Sequence, residues 1–76
     1  MCLAIPGKII AIKEQNGDID FGGVVKQADL SMVDANVGDW VVVHAGFAID
    51  VMDEKEALET IKLWNEVLDH DEVTYQ

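Results

Sequence analysis

The sequence predicts a mainly β fold, a small OB-like antiparallel barrel of about five strands followed by a C-terminal α-helix. Residues 1–52 contain five short strand-like segments separated by Gly, Asn and Asp turn signals, and residues 53–69 carry an apolar pattern with a helical period. The chain has 76 residues, which suits a single domain. Closing so small a sheet into a barrel removes exposed strand edges.

The first two strands are predicted from a β-branched run and a hairpin signal. Ile9–Ile12 lies between two lysines and predicts a strand that is buried mostly on one face. Asn16-Gly17 is the strongest short hairpin signal, so we place the turn there. Ile19 and Phe21 alternate with polar residues and are therefore expected to point into the core.

Three further strands follow. Gly22-Gly23 predicts a turn, and residues 24–32 then predict a third strand. Three of its residues share one face: Ala28, Leu30 and Met32. Trp40–His44 is the strongest strand pattern in the chain. Ala45-Gly46 permits a bend before a fifth strand, Phe47–Met52.

A C-terminal amphipathic helix is predicted over 53–69, packed on or beside the barrel. Asp53 is a favourable N-cap, and Glu56 three residues later completes a capping-box pattern. The apolar face of this helix consists of Ala57, Ile61, Trp64 and Leu68, with Leu58 and Val67 beside it. Acidic residues accumulate after the last turn, where the helix dipole disfavours them, so residues 70–76 are expected to fray.

The composition excludes several classes of function. Fifteen acidic residues against five basic ones give a net charge of -10, which disfavours both nucleic acid and anionic membranes as partners. No apolar run approaches the roughly 20 residues of a membrane-spanning helix. A single cysteine cannot form an intramolecular disulfide. We therefore expect a folded domain in the cytoplasm.

Cys2 and His44 are the candidate reactive residues. A lone cysteine is often a small buried hydrophobe, but position 2 lies at the terminus, and removal of Met1 would give Cys2 a free amine beside its thiol. This pair suits a soft metal or a nucleophile. A lone histidine is more often structural than a ligand, but His44 is able to share a metal with Cys2 if the two lie close together. His70 is a much weaker cation candidate.

Pro6-Gly7 has two interpretations that the sequence leaves open. Pro fixes φ and Gly permits a bend. The pair marks either the entry to the first strand or a bend that holds residues 2–5 away from the barrel as a short presenting arm.

Two blocks of sequence resemble the HypC/HupF/HybG family of nickel–iron hydrogenase maturation chaperones. Residues 1–9 read Met-Cys-Leu-Ala-Ile-Pro-Gly-Lys-Ile, and every position matches the family's N-terminal motif. Residues 38–49 read Gly-Asp-Trp-Val-Val-Val-His-Ala-Gly-Phe-Ala-Ile and resemble the family's second block. The resemblance covers nearly the full chain.

The resemblance implies an OB-like barrel with a C-terminal helix, and a chaperone that is not an enzyme. It implies that Met1 is removed and that iron, as an Fe(CN)2CO group, is bound through Cys2, with His44 as a less certain second ligand. The implied partners are a HypD-like iron–sulfur protein and the precursor of the hydrogenase large subunit. The motif residues implied in partner binding are Cys2, Leu3, Ala4, Ile5, Pro6, Gly7, Gly46 and Phe47.

Two other functions remain open on the residues alone. One is a small enzyme that uses Cys2 as a nucleophile, although 76 residues leave little room for a substrate pocket and an oxyanion site. The other is a purely structural OB-type interaction adaptor in which Cys2 has no function.

Overall fold

Five strands and one helix follow one another in the computed structural model, which describes residues 5–69 apart from the side chains of residues 68 and 69. They are β1 Pro6–Lys13, β2 Asn16–Asp20, β3 Val25–Asp29, β4 Trp40–His44, β5 Phe47–Met52 and α1 Glu54–Asp69. The strands form a closed barrel in the order β1-β2-β3-β5-β4. The predicted five-stranded barrel with a C-terminal helix is confirmed. The predicted frayed tail, 70–76, lies outside the described residues.

The barrel closes at a short seam between β3 and β5. The other four neighbouring strand pairs are antiparallel ladders. At the seam, β3 and β5 are parallel, and Asp29 opposite Phe47 is their one registered residue pair. The Asp29 N–H also donates to the Gly46 carbonyl oxygen, with an N···O distance of 2.8 Å. The hairpin between β4 and β5 is thereby tied to the end of β3.

The barrel interior is aliphatic. Its buried cluster consists of Ile9, Ile19, Ala28, Leu30, Val41 and Ala48, and the partly buried Phe21, Val33, Ala35 and Val43 pack against it. The predicted inward positions of Ile19 and Phe21 are confirmed. Among the described residues, no polar or charged residue is buried. The hydrophobic effect is therefore the main source of stability in this small core.

The first hairpin turns two residues earlier than predicted. Asn16 already pairs with the last residue of β1, so the turn is Glu14-Gln15, with Glu14 at a φ of 58°. The prediction that Asn16-Gly17 forms the turn was wrong. A Cβ atom on Gly17 would lie 2.7 Å from Cδ1 of Leu30. The glycine therefore allows close packing inside the barrel and does not form the turn.

The third strand ends at Asp29, three residues before the predicted end. An Oδ1 atom of Asp29 accepts a hydrogen bond from the Ser31 N–H at 2.7 Å, and Val33 N–H donates to the Leu30 carbonyl. The Ser31 hydroxyl, and then its N–H, lower the pKa of the Asp29 carboxyl below its ordinary value. This turn carries Met32 out of the core face, and its side chain is 66% exposed. The prediction that Met32 shares a strand face with Ala28 and Leu30 was wrong.

The helix begins where the sequence predicts. An Oδ1 atom of Asp53 accepts a hydrogen bond from the Glu56 N–H at 2.8 Å, which is N-cap geometry. Ala57 is fully buried, and α1 packs against β1. Pro6 and Val42 are a buried cross-strand pair outside the interior cluster. Within residues 5–69, no helix has the length and apolarity to span a bilayer.

Candidate functional site

The predicted site residues fall in two segments of the chain. Cys2, Leu3 and Ala4 lie outside the described residues. The described ones are Ile5, Pro6 and Gly7, at the start of β1, and His44, Gly46 and Phe47, in the hairpin between β4 and β5. The two segments are far apart in the sequence, so only the fold can bring them together.

The pairing of β1 with β4 places both segments at one end of the barrel. The two strands are antiparallel, with Pro6 opposite Val42 and Gly7 opposite Val41. From Pro6 toward the N-terminus, the chain therefore runs in the same direction as β4 does from Val42 toward His44. Ile5, the first described residue, lies at the end of the sheet where β4 terminates at His44. The structure thus brings the beginning of β1 and the β4–β5 hairpin together.

Pro6 and Gly7 belong to strand β1. Both are buried and both pair with β4, which favours the strand-entry interpretation for these two residues. Gly7 faces the barrel interior, because a Cβ atom there would lie 2.5 Å from Cγ2 of Ile19 and 2.6 Å from Cε1 of Phe21. Any side chain at position 7 would overlap the core. The alternative, a presenting arm, concerns residues before Ile5 and stays a prediction.

The β4–β5 hairpin presents His44 and Phe47 to solvent. Ala45 and Gly46 link the strands with φ values of 53° and 86°, and positive φ at both central residues is what a type I′ turn requires. His44 pairs with Phe47 across the two strands, so the two side chains share one face of the sheet. His44 is exposed, and Phe47 is 42% exposed. The imidazole is therefore accessible to a ligand or a partner.

Trp40, predicted from the sequence only as a strand residue, has an unusual side-chain environment. Its side chain is half-buried, and its indole N–H is buried without an acceptor among the described residues. A buried Trp N–H usually has a hydrogen-bond partner. Sequence alone gives no signal for this, because burial of the indole depends on the folded sheet, in which Trp40 pairs with Lys8 on β1 and Met52 on β5.

The described chain has no ready-made metal cage. Between residues 5 and 69, no three His, Cys, Asp or Glu side chains come together in an arrangement able to hold a metal ion. The exposed acidic residues are spread over the described surface. His44 as a metal ligand stays a prediction.

Comparison with known proteins gives consistent results. The sequence model of the HupF/HypC family matches residues 1–64. The chain is 39% identical over 71 residues to the hydrogenase maturation factor HypC of Helicobacter hepaticus, covering 90% of this chain and 83% of that protein. It is 45% identical over 69 residues to HypC of Cupriavidus necator, covering 88% of this chain and 77% of that protein.

A third relative agrees with these two. HypC of Escherichia coli K12 is 37% identical over 76 aligned positions, covering 91% of this chain and 84% of that protein. All three relatives are named as maturation factors and none as an enzyme, which agrees with the predicted chaperone class and not with the cysteine-nucleophile alternative. A family match over most of the chain, together with these identities, shows that the chain belongs to the HupF/HypC family of hydrogenase maturation factors.

Proposed function

We propose that this chain carries iron as an Fe(CN)2CO group during the maturation of a nickel–iron hydrogenase. Cys2 holds the iron together with a HypD-like iron–sulfur protein, and the chain then delivers the group to the precursor of the large subunit. The proposal rests on the family match over residues 1–64, which includes the Met-Cys motif and the block around His44.

The chemistry of the cargo suits a cysteine. Iron that carries cyanide and carbon monoxide is low-spin and favours a soft thiolate over oxygen ligands. A closed site with four protein ligands would hold the metal firmly, whereas one sulfur with a weak second ligand leaves it transferable. The partner supplies the rest of the coordination shell. A protein of 76 residues is large enough for that task.

The barrel end described above supports a role for His44. Cys2 is three residues before Ile5, so covalent geometry alone keeps its Cα within about 11 Å of the Ile5 Cα. Ile5 lies at the end of the sheet where β4 terminates at the exposed His44. We propose His44 as the second group at the iron, either as a ligand or as a hydrogen-bond donor to one of the iron's ligands.

A carrier thiol must stay reduced between loading and delivery. The cytoplasm keeps thiols reduced, whereas oxidising compartments convert them to disulfides. We therefore propose the cytoplasm as the place where the chain works. An acidic surface with a net charge of -10 suits partners with basic docking surfaces.

The decisive experiment is anaerobic co-purification. The full chain, expressed with the other maturation proteins, is expected to bring down iron and a HypD-like partner, and the complex is expected to show infrared bands of cyanide and carbon monoxide. A complex that supports hydrogenase maturation but lacks these bands would refute transfer of the iron group. A chain that supports maturation without binding a HypD-like protein would refute the proposed partner.

Replacing His44 with alanine is expected to slow maturation less than the loss of Cys2 does. The thiolate would remain to hold the iron, while the second interaction would be missing. Hydrogenase activity in a strain lacking the native chain, complemented with each variant, measures this effect. Gln27→Ala, at an exposed position on β3, is the matched control. If His44→Ala changes only the thermal midpoint and leaves activity unaltered, His44 is structural.

A further inference from the structure

The second half of α1 exposes large apolar side chains. Ala57, in the first turn, is fully buried, but Leu63 and Val67 are 64% and 53% exposed. Leu63 is six residues after Ala57 and therefore points about 120° away from it around the helix, off the side that packs on the barrel.

The exposed Leu63 and Val67 form one continuous surface with the half-buried Thr60 and Trp64, which we call the apolar stripe. It consists of Thr60, Leu63, Trp64 and Val67, which line a shallow depression of about 260 Å³. The spacing i, i+3, i+4, i+7 puts all four on one side of the helix. In the described structure, Leu63 and Val67 face solvent although their spacing is that of the buried face of a helix. Contiguous exposed apolar surface of this kind marks an interaction site.

One side of the stripe is acidic. Glu59 and Glu66 are four residues before and three residues after Leu63, so both are its neighbours on the helix surface, and both are exposed. Glu56, also exposed, is four residues before Thr60. Lys62 is three residues after Glu59 and four before Glu66 and is therefore their neighbour, but it lies about 100° from Leu63 around the helix, farther from the stripe than either glutamate. The border of the stripe on the Leu63 side is thus negatively charged.

This charge determines which occupant fits. A second copy of the chain would bring another net charge of -10 and, in a symmetric pairing of the stripes, the same glutamates into contact. A protein with an apolar surface bordered by Lys or Arg would bury Leu63 and Val67 and also pair with Glu59 and Glu66. The chemistry of the stripe therefore favours a basic-rimmed partner over self-association.

We propose that the apolar stripe is a docking surface for the HypD-like partner, which presents an apolar patch with a basic rim. This inference rests on the proposed function, because that function supplies the partner. The stripe lies on the exposed half of the helix, whereas Cys2 and His44 carry the chemistry. Docking on the helix would therefore hold the two proteins together without occupying the ligands of the iron.

Binding of the purified full chain to the purified HypD-like protein tests the inference, with dissociation constants measured by calorimetry at low and high salt. The double variant Leu63→Gln/Val67→Gln is expected to weaken binding at least tenfold. Glu59→Lys/Glu66→Lys is expected to weaken binding at low salt and to reduce its salt dependence. All four side chains are exposed, so the fold does not depend on them.

Leu58→Gln is the matched control. Leu58 is also an exposed leucine of α1, 48% accessible, but it points to a different side of the helix. Its variant is expected to bind within twofold of the wild type. Equal weakening by Leu58→Gln and Leu63→Gln/Val67→Gln, or no weakening by either, would overturn the docking surface. A dimer of the free chain that Leu63→Gln/Val67→Gln disrupts would make a second copy the occupant and would also overturn it.

The inference and the proposed function fail in different ways. If the stripe variants bind the partner like the wild type and the complex still carries the cyanide and carbon monoxide bands, only the docking surface is wrong. If the wild type binds the partner through the stripe but the complex never shows those bands, only the iron-carrier function is wrong. If the wild type does not bind a HypD-like protein, both are overturned.

Discussion

A Cys2→Ala variant is expected to abolish hydrogenase maturation while the barrel remains folded. Alanine has no ligand for iron, and the described barrel interior is built from side chains between residues 9 and 48. Complementation of a strain that lacks the native chain measures the loss as hydrogenase activity. Circular dichroism and thermal unfolding of the purified variant check the fold.

Two controls sharpen this test. Cys2→Ser keeps the size of the side chain but offers a hard hydroxyl oxygen, and it is therefore expected to fail nearly as completely as alanine. Mass spectrometry of the active protein reports whether Met1 has been removed and Cys2 carries a free amine. A Cys2→Ala variant that matures hydrogenase at the wild-type level would refute the carrier function.

A Gly7→Ala variant is expected to lose about 1–3 kcal/mol of unfolding free energy, the usual cost of overpacking a core. The new Cβ would lie 2.5 Å from Ile19 and 2.6 Å from Phe21, so side chains or strand β1 must shift. Domains of this size are only marginally stable, so a loss of this magnitude removes much of the total. Urea unfolding followed by tryptophan fluorescence measures it.

The same variant separates packing from partner recognition at position 7. At a temperature where Gly7→Ala is still folded, hydrogenase maturation is expected to proceed, because the change is confined to the barrel interior. Gln27→Ala, with an exposed side chain, is the control and should unfold at the wild-type urea concentration. An unchanged midpoint for Gly7→Ala would show that the strand accommodates the methyl group and that packing does not require glycine.

Elements with strong local patterns were predictable from the sequence. The apolar run Trp40–His44 and the segment Phe47–Met52 form strands with the predicted bounds, because their β-branched residues and the Ala45-Gly46 turn favour the same hairpin. Asp53 caps the helix as predicted, because its carboxylate acts within one turn of its own position. In each of these cases, the interaction that determines the structure is local.

The wrong predictions concern positions whose structure depends on residues that are not their immediate neighbours in the pattern. Asn16-Gly17 is a good turn by local preference, but the side chain of Leu30 packs so closely against Gly17 that the glycine is used inside the strand. The position of Met32 depends on the Asp29–Ser31 turn, which ends β3 early. Neither the contact of Leu30 nor the end of the strand is visible in the pattern of alternation.

In the candidate site, too, the residues could be predicted from the sequence but their arrangement could not. Cys2 and His44 could be selected from their residue types and from the family motifs. The sequence does not show that β1 and β4 are neighbours. Only the barrel topology places Ile5 at the His44 end of the sheet. The exposed surface of α1 was not fully predicted either. Leu63 was not assigned to the predicted apolar face of the helix, and Val67, which was placed beside that face, is 53% exposed.

The seam between β3 and β5 has a consequence for motion. It joins the barrel through the pair Asp29–Phe47 and the hydrogen bond from the Asp29 N–H to Gly46, whereas the other strand pairs share longer ladders. The barrel can therefore open there without separating its remaining strands, at a smaller free-energy cost than global unfolding. The β4–β5 hairpin, which carries His44 and Phe47, contacts β3 at this seam. Opening of the seam would therefore transiently separate the hairpin from the end of β3.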